Sequence, residues 1–230
     1  MSSSSIPQHI AIIPDGNRRW AKANRRPSLF GHKKGVEVME SVCYAALDRG
    51  VKVMTFWAFS TENWKRSKRE VNYLLALFED VFKNRLEKFH KENIKLMVSG
   101  RTEEFPKKLQ NLITNAVTKT KNNTRGIVHL CLNYGGRAEI VDAVKKIISE
   151  KINPARLSPE TISTHLYNPG LPEPDLIIRT SGEQRLSGYL PWQSEYSELM
   201  FVDKHWPDFS EKEIEQAIKE YQRRERRFGK

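Results

Sequence analysis

The chain has 230 residues, 38% of them hydrophobic, with five Trp, seven Tyr and ten Phe, so it can bury a real core in one α/β domain and is not a disordered chain. Thirty-nine Lys and Arg against 28 Asp and Glu leave a formal charge of +11, which calls for an anionic partner: nucleic acid, an anionic membrane surface or a phosphorylated small molecule. Cys43 and Cys131 lie in apolar stretches without metal-ligand spacing and read as small buried hydrophobes in a reducing cytoplasm.

No apolar run approaches the roughly 18 residues that a membrane span requires, so a cytoplasmic protein is expected, with at most peripheral and transient contact to a membrane surface. Residues 1–8 are serine-rich and read as a flexible N-terminus ahead of a single domain over 9–230. The apolar run His9-Ile10-Ala11-Ile12-Ile13 is a strand that stops at Pro14 and empties into a charged loop, DGNRRWAK. Asp15 can hold a hard cation, while the backbone at Gly16 and the forks of Arg18 and Arg19 suit phosphate oxygens. The isolated motif fits a Mg²⁺-diphosphate site and an ordinary salt-bridged turn about equally.

Residues 27–35 read as a second loop carrying Gly31-His32, followed by a helix from Val36 to Leu47 that Gly50 stops. Val51 to Phe59 is β-branched and aromatic enough for a buried strand, and it empties into Ser60-Thr61-Glu62-Asn63-Trp64-Lys65-Arg66. From Val71 to Phe89 an apolar stripe predicts one amphipathic helix of about six turns. Further strands are expected at Ile94–Ser99 and Gly126–Tyr134, with helices over 106–121 and 140–148. A strand at 174–178 delivers Arg179 and then TSGEQRLS, whose two Arg, hydroxyls and Gly make a phosphate cradle. Leu199–Val202 reads as the last strand, and a capping box at Ser210 and Glu213 opens the closing helix. The alternation of strands and helices predicts an α/β fold with a mostly parallel central sheet and helices on both faces.

Taken together, PDGNRRWAK with its later GH pair, WAFSTENWKR, NYGGR, RTSGEQRLSGYLPWQSEYSEL, WPDF and RRERRFG resemble the cis-prenyltransferases, the family of undecaprenyl diphosphate synthase. The resemblance runs in the family's order from His9 to Gly229. It implies that Asp15 is the catalytic Mg²⁺ and diphosphate ligand, with Glu198 completing the metal site. Gly16, Asn17, Arg18, Arg19, Trp20, Ser28 and His32 would grip the allylic diphosphate. Ser60, Thr61, Glu62, Trp64 and Arg66 would line the reacting ends, with Asn63 a participant in proton removal. Arg179, Arg185, Leu186 and Ser187 would bind isopentenyl diphosphate, and Arg227 with Gly229 would reach the same site of a partner subunit in a homodimer. Three positions depart from the pattern: Ser28 stands where many members have Arg, Gln184 where some have His, and Arg18 where some have Gly.

The implied activity joins an allylic diphosphate, such as farnesyl diphosphate, to isopentenyl diphosphate and leaves a new Z double bond in a medium-chain product such as undecaprenyl diphosphate. The stripe from Val71 to Phe89 then becomes one wall of a hydrophobic tunnel, with Phe56, Trp57, Met97, Ile127 and Leu132 as candidates for its floor. Two alternatives stand beside it: short-chain or irregular head-to-middle coupling on the same fold, and a nucleic-acid-binding module. The second is disfavoured because the arginines sit in strand-end loops and no nucleic-acid-binding motif is present.

Overall fold

The computed structural model describes residues 6–224, and the expectations for Arg227 and Gly229 lie outside them. Six strands, β1 (His9–Ile13), β2 (Val53–Ser60), β3 (Ile94–Ser99), β4 (Gly126–Tyr134), β5 (Leu176–Thr180) and β6 (Glu198–Val202), form one sheet in the order β3-β4-β2-β1-β5-β6. Every pairing is parallel. The near-continuous apolar runs of β1, β2 and β4 fit this arrangement, because strands of a parallel sheet are covered on both faces.

The helices are α1 (Asn17–Ala23), α2 (Ser28–Asp48), α3 (Lys68–Asn84), α4 (Leu86–Lys91), α5 (Lys107–Thr120), α6 (Gly136–Ser149), α7 (Pro159–His165) and α8 (Glu211–Arg223). On one face α2, α3, α4, α5 and α8 enclose the larger core with Ile10, Ile12, Met54, Phe56 and Phe59 of the sheet. Each large side chain buried there contributes roughly 1.5–3 kcal/mol. The other face gathers Ala11, Ile13, Cys131, Ile177, Tyr189 and Leu190 into a smaller core. Cys43 and Cys131 are both free and buried.

Three local expectations change. The segment after Asp15 is helix α1 from Asn17 rather than a loop, and α2 begins at Ser28 rather than near Val36. Gly31 therefore lies inside a helix, where its missing side chain lets α1 touch α2: a Cβ there would stand 2.0 Å from the Asn17 carbonyl oxygen. The stripe from Val71 to Phe89 is two helices, broken at Arg85 (φ −105°, ψ −9°). At the break Arg85 and Lys88 both turn onto Glu40 of α2, a carboxylate 8% exposed, while Leu86 and Phe89 still enter the core.

A chain of buried polar groups crosses the sheet. The Asn168 amide donates to Ser99 Oγ, which lies 2.7 Å from His129 Nε2; His129 Nδ1 is 3.1 Å from Thr55 Oγ1; Thr55 Oγ1 is 2.6 Å from His9 Nε2; and His9 Nδ1 reaches the Pro172 carbonyl at 2.7 Å. The carbonyl at Pro172 can only accept, so His9 Nδ1 carries its proton and its Nε2 accepts from the Thr55 hydroxyl. Thr55 then accepts from His129 Nδ1, and every member of the chain has a partner with both rings neutral. Burial pushes His9 down to about 4 and His129 down to about 3, in keeping with that assignment.

Candidate active site at the carboxyl edge of the sheet

The chain builds β1, β2, β3 and β4 toward one side and then returns to add β5 and β6 on the other side of β1. The strand order reverses between β1 and β5, and in open α/β sheets ligands bind in the crevice at the carboxyl ends of such strands. β1 delivers Asp15 to that crevice and β5 delivers Arg179, which is 5% exposed. Arg179 Nη2 donates to Asp15 Oδ2 at 2.9 Å, and Arg19 Nη2 lies 3.2 Å from Asp15 Oδ1. Burial works to raise the Asp15 carboxyl, but the hydrogen bonds from Arg179 and the Gly16 N–H and the two guanidinium charges outweigh it and hold the group below the usual range.

The loop geometry is tightly held. Gly16 caps α1 with φ +96°, and a Cβ there would meet Ser181 Oγ at 2.4 Å and His205 Nδ1 at 2.7 Å, so glycine alone fits. The Asp15 carbonyl accepts from Thr180 Oγ1 at 2.8 Å and from the Trp206 N–H at 2.9 Å. Arg19 also pairs with Glu183 at 2.9 Å, and Ser187 Oγ accepts from Arg179 Nη1 at 2.9 Å. Arg185 is an exposed rim residue paired with Glu183, and Leu186 packs against the smaller core. Trp20 stands at the edge of the site with its indole N–H on Asp208 at 2.6 Å, and Ser28 is exposed at the start of α2.

A second carboxylate gathers the other cations. Glu70 accepts from Arg66 Nη1 at 2.9 Å, and His32 Nε2 and Arg18 Nη1 approach it at 3.4 Å and 3.6 Å. Burial and the Arg66 charge push the His32 ring down to about 4 against the pull of Glu70, so the ring is neutral near pH 7 and its 3.4 Å approach is not an ion pair. Three buried polar atoms here have no hydrogen-bond partner: Asn17 Oδ1, His32 Nε2 and Arg179 Nε. Unpaired buried polar atoms are costly, and their concentration in one crevice points to a polar ligand.

Below these groups an apolar cleft opens between α2, α3 and the sheet, with about 430 Å³ of space counting its mouth. Asn17 and His32 stand at its lining with Val36, Met39, Phe56, Ala58, Leu74 and Phe78. A second, smaller apolar cavity of about 280 Å³ continues past Met39, which borders both, to Phe82, Leu86, Phe89, Leu96 and Val128. Of the residues expected at a tunnel floor, Phe56 lines the upper cleft. Trp57 packs instead with the smaller core on the opposite face of the sheet, and Met97, Ile127 and Leu132 line neither cavity.

The turn after β2 is pinned from two sides. Ala58 is an extra residue in β2 against β4, and Asn133 (φ +50°) is an extra residue in β4 against β2, so both strands bend beside the site. The side-chain Oδ1 of Asn63 accepts from the Ser60 N–H at 3.2 Å, and the Trp64 indole donates to Asn133 Oδ1 at 2.8 Å. Thr61 packs on Gly135, and Glu62 points to solvent. Asn133, which also donates to the Arg101 carbonyl at 2.9 Å, holds Trp64 in place. Asn133 opens the NYGGR motif, to which the sequence alone assigns no role, and an Asn ahead of Tyr134 and two glycines suits the left-handed position it takes.

Glu198 requires a correction. It opens β6 opposite Leu176, at the amino edge of the sheet, whereas Asp15 lies beyond the carboxyl edge, where Ile13 pairs with Arg179. Three strand residues, roughly 10 Å, separate the level of Leu176 from that of Arg179, and Asp15 lies beyond the latter. Glu198 binds Arg224 Nη1 at 2.9 Å, so one chain does not bring it to the Asp15 site. Among the described residues no group of three or more His, Cys, Asp or Glu is placed to hold a metal. The Asp15 side chain keeps 31% exposure, and a single carboxylate of that kind suits Mg²⁺, which keeps several waters and takes phosphate oxygens as its other ligands.

The family model described as "Putative undecaprenyl diphosphate synthase" matches residues 13–229. The chain belongs to this prenyltransferase family. It is 48% identical over 234 residues to the isoprenyl transferase of Streptococcus pneumoniae strain R6, covering 98% of this chain and 93% of that protein. The isoprenyl transferase of Streptococcus mutans is 47% identical, with 98% and 94% covered. Among solved structures, lavandulyl diphosphate synthase from Lavandula x intermedia in complex with dimethylallyl diphosphate superposes with a TM-score of 0.94 at 34% identity, covering 98% of this chain and 99% of that one. An undecaprenyl diphosphate synthase, described as probable, from Campylobacter jejuni gives 0.83 at 32% identity, with 98% and 100% covered. The chain is thus a prenyltransferase enzyme of α/β fold, with an all-parallel sheet where the sequence predicts a mostly parallel one.

Proposed function

We propose that the enzyme condenses an allylic diphosphate, farnesyl diphosphate in the first instance, with isopentenyl diphosphate to give a medium-chain Z-polyprenyl diphosphate. The observation that carries this reading is an apolar cleft whose lining holds two orphaned polar atoms, Asn17 Oδ1 and His32 Nε2, next to the Asp15–Arg179 pair. Such a site suits a ligand with a diphosphate head and a hydrocarbon tail. In the reaction the C1–O bond to the allylic diphosphate breaks and C1 bonds to C4 of isopentenyl diphosphate. A C2 proton then leaves to form the new double bond.

Charge develops on the departing diphosphate, and preplaced donors stabilise it most when they need not reorganise. Arg19 and the α1 N–H groups beyond Gly16 would take the allylic diphosphate, together with Asn17, Arg18, Trp20 and His32. Arg179, Arg185 and Ser187 would take that of isopentenyl diphosphate. Asp15 would hold Mg²⁺, whose chemistry there is to neutralise the leaving group. Asn63 commits its Oδ1 to the Ser60 N–H, and an amide oxygen is in any case a weak base. It therefore orients the pair, and the released diphosphate takes the proton. Arg227 and Gly229 would complete the isopentenyl site of a partner in a homodimer.

The test is incubation of purified protein with Mg²⁺, farnesyl diphosphate and labelled isopentenyl diphosphate. Label in butanol-extractable polyprenyl product is the expected result, and no incorporation with any allylic primer would refute the reading. A short-chain or head-to-middle coupling reading is favoured by the close superposition on lavandulyl diphosphate synthase. Mass and NMR regiochemistry of the product separate the two.

A further inference from the structure

From Gly16 to Val36 the chain carries seven cations and no carboxylate. The site and its surroundings use three of them: Arg18 faces Glu70, Arg19 pairs with Asp15 and Glu183, and Lys34 pairs with Glu37. Lys22, Arg25, Arg26 and Lys33 are exposed, and none forms an ion pair among the described residues. They cluster on the corner between α1 and α2. This corner is ordered: the Arg25 N–H bonds to the Lys22 carbonyl at 3.1 Å and the Arg26 N–H to the Ala21 carbonyl at 2.8 Å.

An apolar side chain projects from the same corner. Phe30 is 44% exposed, stacks parallel on Trp20 at 6.3 Å, and lies under the Arg26 guanidinium at 5.3 Å. Three carboxylates of the surrounding residues are engaged elsewhere: Glu37 by Lys34, Glu183 by Arg19 and Arg185, and Asp208 by the Trp20 indole. Unpaired cations around an exposed aromatic ring match what binds the headgroup region of an anionic bilayer, where cations meet phosphates and the ring enters the acyl boundary. The corner also borders the apolar cleft, since His32, Val36 and Met39 of α2 line it.

We propose that the α1–α2 corner docks the enzyme on an anionic phospholipid surface through Lys22, Arg25, Arg26, Lys33 and Phe30. Docking there sets the mouth of the cleft against the bilayer, so a long hydrocarbon product can pass into lipid without crossing bulk water. Binding needs no turnover, so it stands or falls separately from the reaction proposed above.

The experiment sediments the full chain with phosphatidylcholine vesicles, with and without phosphatidylglycerol. Binding only to the anionic vesicles is expected, weakening as salt shortens the reach of the charges to about 8 Å or less. Replacing all four cations, Lys22→Gln, Arg25→Gln, Arg26→Gln and Lys33→Gln, should weaken it by about 600-fold, at roughly fivefold per cation. Phe30→Ser should weaken it severalfold, and a distant pair, Lys145→Gln with Arg156→Gln, should leave it unchanged. Equal binding to neutral vesicles, undiminished binding by the quadruple variant, or equal loss in the distant pair would overturn the proposal. So would displacement from vesicles by RNA at equal phosphate with Phe30→Ser without effect. Melting curves identify any misfolded variant, and release of the unaltered chain by salt then supplies the same reading.

Discussion

Two polar clusters share one sheet, one neutral and one charged, and they differ in whether their hydrogen bonds close. The His9, Thr55, His129, Ser99 and Asn168 chain is closed, with each donor meeting an acceptor. The Asp15, Arg19 and Arg179 crevice is open, with Asn17 Oδ1, His32 Nε2 and Arg179 Nε left over beside strong ion pairs. A closed network rigidifies a core, while an open one keeps bonding capacity for a ligand. The contrast separates structure from site without appeal to the residue types, since both clusters contain a histidine and hydroxyl or amide groups.

The largest effect should come from breaking the open cluster at its centre. Asp15→Ala is expected to lower turnover by about 10²-fold or more, while circular dichroism shows the fold retained; a near-normal rate would remove Asp15 from the site. Gly16→Ala comes next. The new Cβ would collide with Ser181 and His205 at a backbone angle that L-residues avoid, so turnover should fall about tenfold and stability by about 1–3 kcal/mol, read from steady-state rates and thermal melting.

The closed cluster should respond in stability and not in substrate affinity. Thr55→Val orphans a nitrogen on both rings and should cost about 1–3 kcal/mol for each, with KM for either substrate unchanged. Its pH signature has a definite sign. His9 and His129 titrate below the ordinary 6.5 when folded, so the unfolded chain holds more protons in that interval. Stability should be complete above about 6.5 and decline as pH falls through about 4, as melting at stepped pH would show. The smallest effect on rate belongs to the apolar side of the site. Met39→Ala joins the two cavities that Met39 divides, and mass spectrometry should find longer products at a similar rate of incorporation.

Much of this was legible along the chain. Continuous apolar and β-branched runs named all six strands, since such runs are properties of adjacent residues. The residues that end β1, β2 and β5 were picked out as a set, because one such loop is as readily a salt-bridged turn and only its recurrence after three apolar runs favours a shared site. Asn133 was not, because its role depends on the left-handed backbone that bends β4 and on a tryptophan 69 residues away. The loop expected around Gly31 failed for a related reason. Glycine there serves the contact of α1 with α2, and local propensity carries no information about a neighbour's carbonyl.

Sequence by itself determined the strands, the cations and the order of the motifs, because these are properties of adjacent residues. Only tertiary structure decided which of them meet. The reversal of strand order beside β1 brings Asp15 to Arg179 across 164 residues, and the same parallel register carries Glu198 to the far edge despite its place in a recognisable motif. Both outcomes follow from one physical fact: in a parallel sheet the direction of each strand, not its sequence neighbours, fixes the edge at which a side chain arrives.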